Sequence, residues 1–255
     1  MSLRVAVFGA AGRMGATVCR AVAADPGLEL VAAVDPRHAG PGEAGVPVSA
    51  SPDAVLDAGA DVVVDFTRAE AARGNLRWAA DHGLHAVTGT TGLGEADLDD
   101  LRARFTDRGC VVAPNFAIGA VLMMRFAELA APWFETAEVV ELHHDRKADA
   151  PSGTAMLTAG RMAAASDRWG ADPTTDEVVP GARGGAGPGG IHVHSVRLRG
   201  LVAHQEVLLG TDGQLLTIRH DSFDRVSFMP GVLLAVKAVP DRPGLTVGLD
   251  ALLGL

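Results

Sequence analysis

An α/β fold is expected: a Rossmann-like doubly wound parallel sheet, joined to a second α+β domain with an open mixed sheet. Three observations predict it. Short, nearly continuous Val/Ala/Leu runs alternate with helical patterns as far as Ala113, which is how a parallel sheet covered on both faces reads. A loop of small residues, Gly9 to Gly15, stands between the first such run and the first helix. After Pro114 the strands follow one another with turn signals between them, the Asp212-Gly213 pair among them, which is hairpin chemistry. The length of 255 residues allows one large domain or two small ones.

In chain order, strands are expected over 3–8, 28–34, 61–66, 84–88 and 110–113, and helices over 13–24, 69–82 and 95–108. Right-handed crossovers then generate the doubly wound sheet. Beyond Pro114, helices are expected over 118–130 and 152–166, with a strand over 137–144 between them. Residues 167–190 are rich in Pro, Asp and Gly, a loop long enough to suggest function or mobility. Strands over 191–198, 201–209 and 214–220 follow. A helix over 222–239 is expected, with Asp221 or Ser222 as its N-cap, and a last strand over 245–249. The layout suggests that the chain returns to the first domain at its C-terminus.

Composition excludes several classes of function. Against 22 Lys and Arg stand 31 Asp and Glu, for a net charge of −9, and such a surface repels phosphate backbones. Aromatic residues are 4% and Tyr is absent, so stacking on single-stranded nucleic acid is not expected. No apolar run reaches the roughly 18 residues of a membrane span. The N-terminus enters the glycine loop at once and lacks a signal peptide's apolar core, so the cytoplasm is the expected compartment. Cys19 and Cys110 make neither a zinc spacing nor a disulfide framework, and no metal is called for.

The glycine loop is the first functional signal. Gly9, Ala10, Ala11, Gly12, Arg13 and Met14 lead from a strand into a helix, where small residues let the backbone approach a pyrophosphate and the helix end offers N–H donors. The spacing is G-x-x-G-x-x-G, and a tight turn without ligand would use the same residues. Asp35 follows about 20 residues later, where a ribose-binding acid is expected; a loop cap is the alternative. That carboxylate favours NADH, while Arg37 and His38 offset repulsion of a 2′-phosphate and leave NADPH open. Gly89, Thr90 and Thr91 after the fourth strand, and Ala113, Pro114, Asn115 and Phe116 after the fifth, lie where open parallel sheets bind ligands.

The densest chemistry runs from Glu141 to Ala155, ELHHDRKADAPSGTA. His143 and His144 can titrate near neutrality, and Lys147 can pair with a carboxylate. Pro151-Ser152-Gly153-Thr154 leads into a helix, so Gly153 and Thr154 offer backbone amides to an anion. A cationic pocket on an acidic protein suggests a small dicarboxylate substrate. Adjacent strand residues face opposite ways, so both imidazoles reach one ligand only where the strand ends or bends; otherwise one is structural. His192 and His194 form half a metal site at most and are read as structural.

These segments resemble the dihydrodipicolinate (4-hydroxy-tetrahydrodipicolinate) reductases of lysine and diaminopimelate synthesis. The resemblance spans the chain and rests on Gly9–Gly15, Gly89-Thr90-Thr91, Ala113–Phe116, the Glu141–Ala155 segment and the run from Ser195 through Gly231. It implies NAD(P)H-dependent reduction of 4-hydroxy-tetrahydrodipicolinate to tetrahydrodipicolinate. It implies a dinucleotide-binding domain of residues 1–116 and 226–255, a substrate-binding and oligomerisation domain of residues 117–225, and a homotetramer. By matching position, His143 would donate or accept the proton and Lys147 would be a second donor. His144, Gly153 and Thr154 would bind substrate carboxylates. Gly9 to Met14, Asp35, Gly89 to Thr91 and Ala113 to Phe116 would contact NADH or NADPH. Many members follow the ribose acid directly with Arg; here Pro36 intervenes between Asp35 and Arg37.

Overall fold

A computed structural model describes residues 2–255. In chain order the elements are β1 (Leu3–Phe8), α1 (Arg13–Ala24), β2 (Leu28–Val34), β3 (Val48–Ser49), α2 (Asp53–Asp57), β4 (Val62–Asp65), α3 (Ala69–Asp81), β5 (His85–Thr88), α4 (Glu95–Arg104) and β6 (Gly109–Val112). They continue as α5 (Ile118–Ala130), β7 (Thr136–His143), α6 (Gly153–Ala165), β8 (Gly185–Ala186), β9 (His192–Arg197), β10 (Ala203–Thr211) and β11 (Gln214–Ser222). The chain closes with α7 (Met229–Ala238), β12 (Gly244–Val247) and α8 (Asp250–Leu253). Two compact units divide these elements: one runs to Ala117 and resumes over Phe228–Leu255, and the other is Ile118–Ser227.

The first unit is a seven-stranded sheet of order β12-β6-β5-β4-β1-β2-β3. Every pairing in it is parallel. Val5, Val7, Val62, Val64, Ala86 and Val87 are fully buried, which is why the central strands read as unbroken apolar runs rather than alternating ones. α1 presents Gly15, Val18, Cys19 and Val22 to the sheet. β12 adds to the edge beside β6, so the C-terminal segment does return to this sheet.

The second unit is a mixed five-stranded sheet, β11-β10-β7-β9-β8. β7 pairs antiparallel with β10 and parallel with β9. The expected long loop after α6 contributes the two residues of β8 and a short helical turn over Pro188–Gly190.

Three local expectations are corrected. The helix expected from Ser222 begins at Met229, because β11 pairs with β10 without interruption from Gln214 to Ser222. Nine paired residues outweigh the helical pattern there, and neither Asp221 nor Ser222 caps α7. The helix expected to reach Arg108 stops at Arg104, where Phe105 turns away to be buried. β3 and α2 were not expected, since two and five residues carry no measurable periodicity.

His85 shows how burial couples the sheet to pH. Its ring is buried, and Nδ1 accepts the Gly109 N–H at 2.9 Å. Burial, and then the Arg108 charge, hold its pKa below the ordinary histidine value. His143 and His220 are lowered too, burial again coming first. The unfolded chain therefore takes up more protons than the folded one as pH drops through about 6.5. Unfolding free energy from denaturant titrations is expected to fall between pH 7 and pH 5. His85→Asn, which keeps an acceptor but cannot become charged, is expected to flatten that slope.

Candidate functional site

In a parallel sheet all strands end on one edge. β1 lies between β2 and β4, so the connections leaving β1 and β4 diverge to opposite sides and open a crevice. The glycine loop lines it. Gly9 has φ +73°, and a Cβ there would sit 2.9 Å from Thr67 Cγ2, in the loop after β4. A Cβ on Gly15 would sit 2.0 Å from the Gly9 carbonyl oxygen, so α1 rests directly on the loop backbone. Gly12 is the N-cap of α1, with no side-chain cap and no acid in the first turn. Ala11, Gly12 and Arg13 are exposed while Ala10 is buried. An uncapped positive helix end, approached by a backbone without side chains, is a cradle that fits a pyrophosphate.

Asp35 directly follows β2 and is buried. Its Oδ1 accepts the Arg37 N–H at 3.1 Å and lies 3.7 Å from His38 Nδ1. It therefore caps its own turn, and the exposed Arg37 and His38 flank it. The Thr90 hydroxyl points inward and donates to Asp65 Oδ1 at 2.9 Å, so Thr91, which is exposed, is the hydroxyl left at the surface. Asp65 is wholly buried and also accepts from the Thr67 N–H and hydroxyl and from Asn75 Nδ2. It ties the loops after β4 and β5 together. Phe116 is buried too, its ring 5.7 Å from that of Phe66, and a Cβ on Gly89 would strike the Phe66 ring at 2.2 Å. Asn115 Oδ1 accepts the Ala117 N–H at 2.8 Å, and Gly231 of α7 packs so closely on the Phe116 carbonyl that a Cβ would lie 2.1 Å away. Ala113 to Phe116 thus form a braced turn, with Pro114 exposed.

In the second unit β7 ends at His143, so His144 falls in the following loop and is freed from strand alternation. His143 Nδ1 lies 2.5 Å from Glu141 Oε2. Glu141 and His143 are two apart on one strand and share a face. Glu141 is wholly buried. Arg197 Nη1 and Nη2 donate to its two oxygens at 2.9 and 2.8 Å, and the Ser152 N–H donates at 3.1 Å. Burial pushes the Glu141 carboxyl up, but hydrogen bonds from Arg197, Ser195 and His143 outweigh it and hold the pKa below the ordinary value. Burial lowers His143; Glu141 opposes it, and Lys147 and Arg197 add to it. Lys147 Nζ bonds both Asp149 oxygens at 2.8 Å. Ser152 caps α6, its side chain accepting from the Ala155 N–H, so Gly153 and Thr154 open the helix at its positive end.

Glu141 and Arg197 were not among the expected site residues. Two-residue spacing signals Glu141. Arg197 reaches it only through the parallel β7–β9 pairing, which sets Glu141 opposite Ser195 and His143 opposite Arg197. His192 and His194 turn to carboxylates of their own unit, Asp172 and Glu138.

Two family profiles match the chain. Dihydrodipicolinate reductase, N-terminus, covers residues 3–116, and dihydrodipicolinate reductase, C-terminus, covers residues 119–253. The chain belongs to the dihydrodipicolinate reductase family. It is 54% identical over 259 residues to a 4-hydroxy-tetrahydrodipicolinate reductase of Cutibacterium acnes, covering 99% of each chain. It is 54% identical over 262 residues to the enzyme of that name from Nocardia farcinica, covering 100% of each. Among solved structures, a dipicolinate-bound dihydrodipicolinate reductase from Paenisporosarcina sp. TG-14 superposes with a TM-score of 0.88 at 39% identity, over 98% of this chain and 99% of that one. An amine dehydrogenase from Mycobacterium smegmatis, with a TM-score of 0.66 at 14% identity over 96% of this chain and 95% of that one, shares the fold alone. As a dihydrodipicolinate reductase family member the chain is an NAD(P)H-dependent oxidoreductase.

The glycine geometry separates packing from ligand access in this family member. Gly15→Ala drives a Cβ into backbone at 2.0 Å and is expected to cost about 1–3 kcal/mol of stability. Gly12→Ala meets only the Gly9 oxygen at 3.1 Å and is expected to cost about 1 kcal/mol or less. Thermal melts of the two variants beside the parent check the difference.

Proposed function

We propose that the chain reduces 4-hydroxy-tetrahydrodipicolinate to tetrahydrodipicolinate with NADH or NADPH, in the lysine and diaminopimelate route, through the residues just described. The observation that carries the reading is the concentration of chemistry at the end of β7. A partly buried imidazole bonded to a buried carboxylate, an ammonium four residues on, and the positive end of α6 lie within one strand–loop–helix segment. It supports recognition of a small dicarboxylate beside a proton source.

Gly9, Ala10, Ala11, Gly12, Arg13 and Met14 would hold the pyrophosphate, with Asp35 at the ribose. Gly89, Thr90, Thr91, Ala113, Pro114, Asn115 and Phe116 would shape the nicotinamide end, Thr90 and Phe116 through their backbone because their side chains are buried. When bound, the nicotinamide supplies a hydride. The chain's part is to place the substrate and deliver the accompanying proton, while the ring's hydroxyl departs as water. His143 is the proton donor, and Lys147 is the second. His144 and the amides of Gly153 and Thr154 take the two carboxylates, whose charge favours protonated His143. Lys147 is held by Asp149 in this structure and exchanges that partner for substrate. Placement is the larger contribution, and proton delivery adds about 10²–10⁴-fold.

On this reading the residues around the first unit's crevice form the dinucleotide domain, and the second unit carries substrate and the subunit contacts of a homotetramer. Exposed Leu198, Leu215 and Phe223 on the second unit supply apolar area for such contacts. The compartment is the cytoplasm, in keeping with two free buried cysteines. Among the described residues no helix is long and apolar enough to cross a membrane.

The test follows NADH and NADPH absorbance with freshly generated 4-hydroxy-tetrahydrodipicolinate; oxidation of neither removes the proposal. His143→Ala is expected to lower kcat by about 10²–10⁴-fold while leaving nucleotide Kd near the parent value. Gly12→Val is expected to weaken nucleotide binding at least tenfold, read by fluorescence titration. Equal loss of nucleotide affinity in both variants would refute the division of roles.

A further inference from the structure

We infer that Glu141 and Arg197 are positioning residues of the reduction: Glu141 locks the His143 ring with its Nδ1 proton turned inward, so that Nε2 alone faces substrate, and Arg197 holds Glu141 in place. The inference rests on the reading of His143 as proton donor.

Three features carry it. The first is the burial of Glu141. A carboxylate with no exposed surface is unfavourable unless its lone pairs are filled. Here Arg197 donates from Nη1 and Nη2, and the Ser152 N–H, His143 and the Ser195 side chain donate as well. The second is directional. An ionised carboxylate only accepts hydrogen bonds. His143 Nδ1, at 2.5 Å from Oε2, must therefore carry a hydrogen. Proton exchange with a ligand is left to Nε2, which is the division of labour that a carboxylate behind an imidazole enforces.

The third feature is the reach of Arg197. Besides Glu141, its Nη2 donates to the Asp149 carbonyl at 2.6 Å. Asp149 in turn holds Lys147. Ser152, bonded to Glu141 through its N–H, caps α6. One carboxylate–guanidinium pair thus joins β7, β9, the Lys147 loop and the start of α6. The charged groups facing His143 are Glu141 on its own strand, Arg197 on β9 and Lys147 in the loop, with Asp149 against Lys147. Glu141 is the only one of the first three that favours the imidazolium.

The experiment uses full-length enzyme labelled at histidine with ¹⁵N, the His143 signals being assigned by their loss in His143→Ala. The parent is expected to show the Nδ1–H tautomer at neutral pH; an Nε2–H tautomer would overturn the inference without any variant at position 141. In Glu141→Gln the His143 midpoint is expected to fall by about one pH unit or more, and the decline of kcat/KM with rising pH is expected to begin correspondingly earlier. Its kcat should drop about 10–100-fold, with nucleotide Kd and substrate KM within about threefold of the parent. An unchanged midpoint, or an unchanged kcat in folded protein, overturns it. If Glu141→Gln does not fold because Arg197 is left unpaired, the charge-balanced Glu141→Gln/Arg197→Gln enzyme is read by the same criteria. Arg197→Lys, which keeps the charge but not the fork, is expected to recover part of the kcat lost in Arg197→Gln; equal loss in both overturns the role of the fork. Failure of the underlying reading looks different: His143→Ala would keep its kcat whatever the tautomer.

Discussion

The buried carboxylate of Glu141 is the constraint on which the end of β7 in the second unit depends. Burying it requires several donors, and the chain supplies them from three places: the strand itself, the parallel neighbour β9 and the N-cap of α6. The same geometry that makes the charge tolerable fixes the histidine beside it. Stability and chemistry are therefore written in one set of hydrogen bonds.

The crevice of the first unit depends on the absence of side chains. The helix α1 and the loop after β1 meet through Gly15 and the Gly9 carbonyl at a distance that excludes even a methyl group. That contact brings the uncapped end of α1 up to the crevice. Asp65 does the complementary work from below. It gathers Thr67, Asn75 and Thr90 into one network, so hydrogen bonds of the chain itself brace the loops after β4 and β5. Preorganised loops lose less freedom when a ligand arrives.

The overall charge and the local charge run in opposite directions. The chain carries −9, yet His143, Lys147 and Arg197 collect at the end of β7, beside the positive end of α6. A negative protein with local cationic groups discriminates by position: anions meet repulsion over most of the surface and attraction where such groups and uncapped helix ends gather. The two acids beside this cluster, Glu141 and Asp149, are both engaged by its cations, so the cluster gains net positive charge as His143 takes up a proton.

The sequence alone determined the strands and helices with strong periodicity, the glycine loop, the acid after β2 and the His–Lys segment, because each is a local pattern read within about twenty residues. It also carried the family, since the resemblance rests on continuous strings such as ELHHDRKADAPSGTA. Tertiary structure decided what no string contains. It set Arg197 opposite His143 across a parallel pairing of strands about fifty residues apart. It turned the Thr90 hydroxyl inward to Asp65, and it extended β11 through Ser222, where local pattern favours a helix. In each case the deciding term is a hydrogen bond or strand pairing between residues far apart in sequence, and such terms exist only once the sheet has formed.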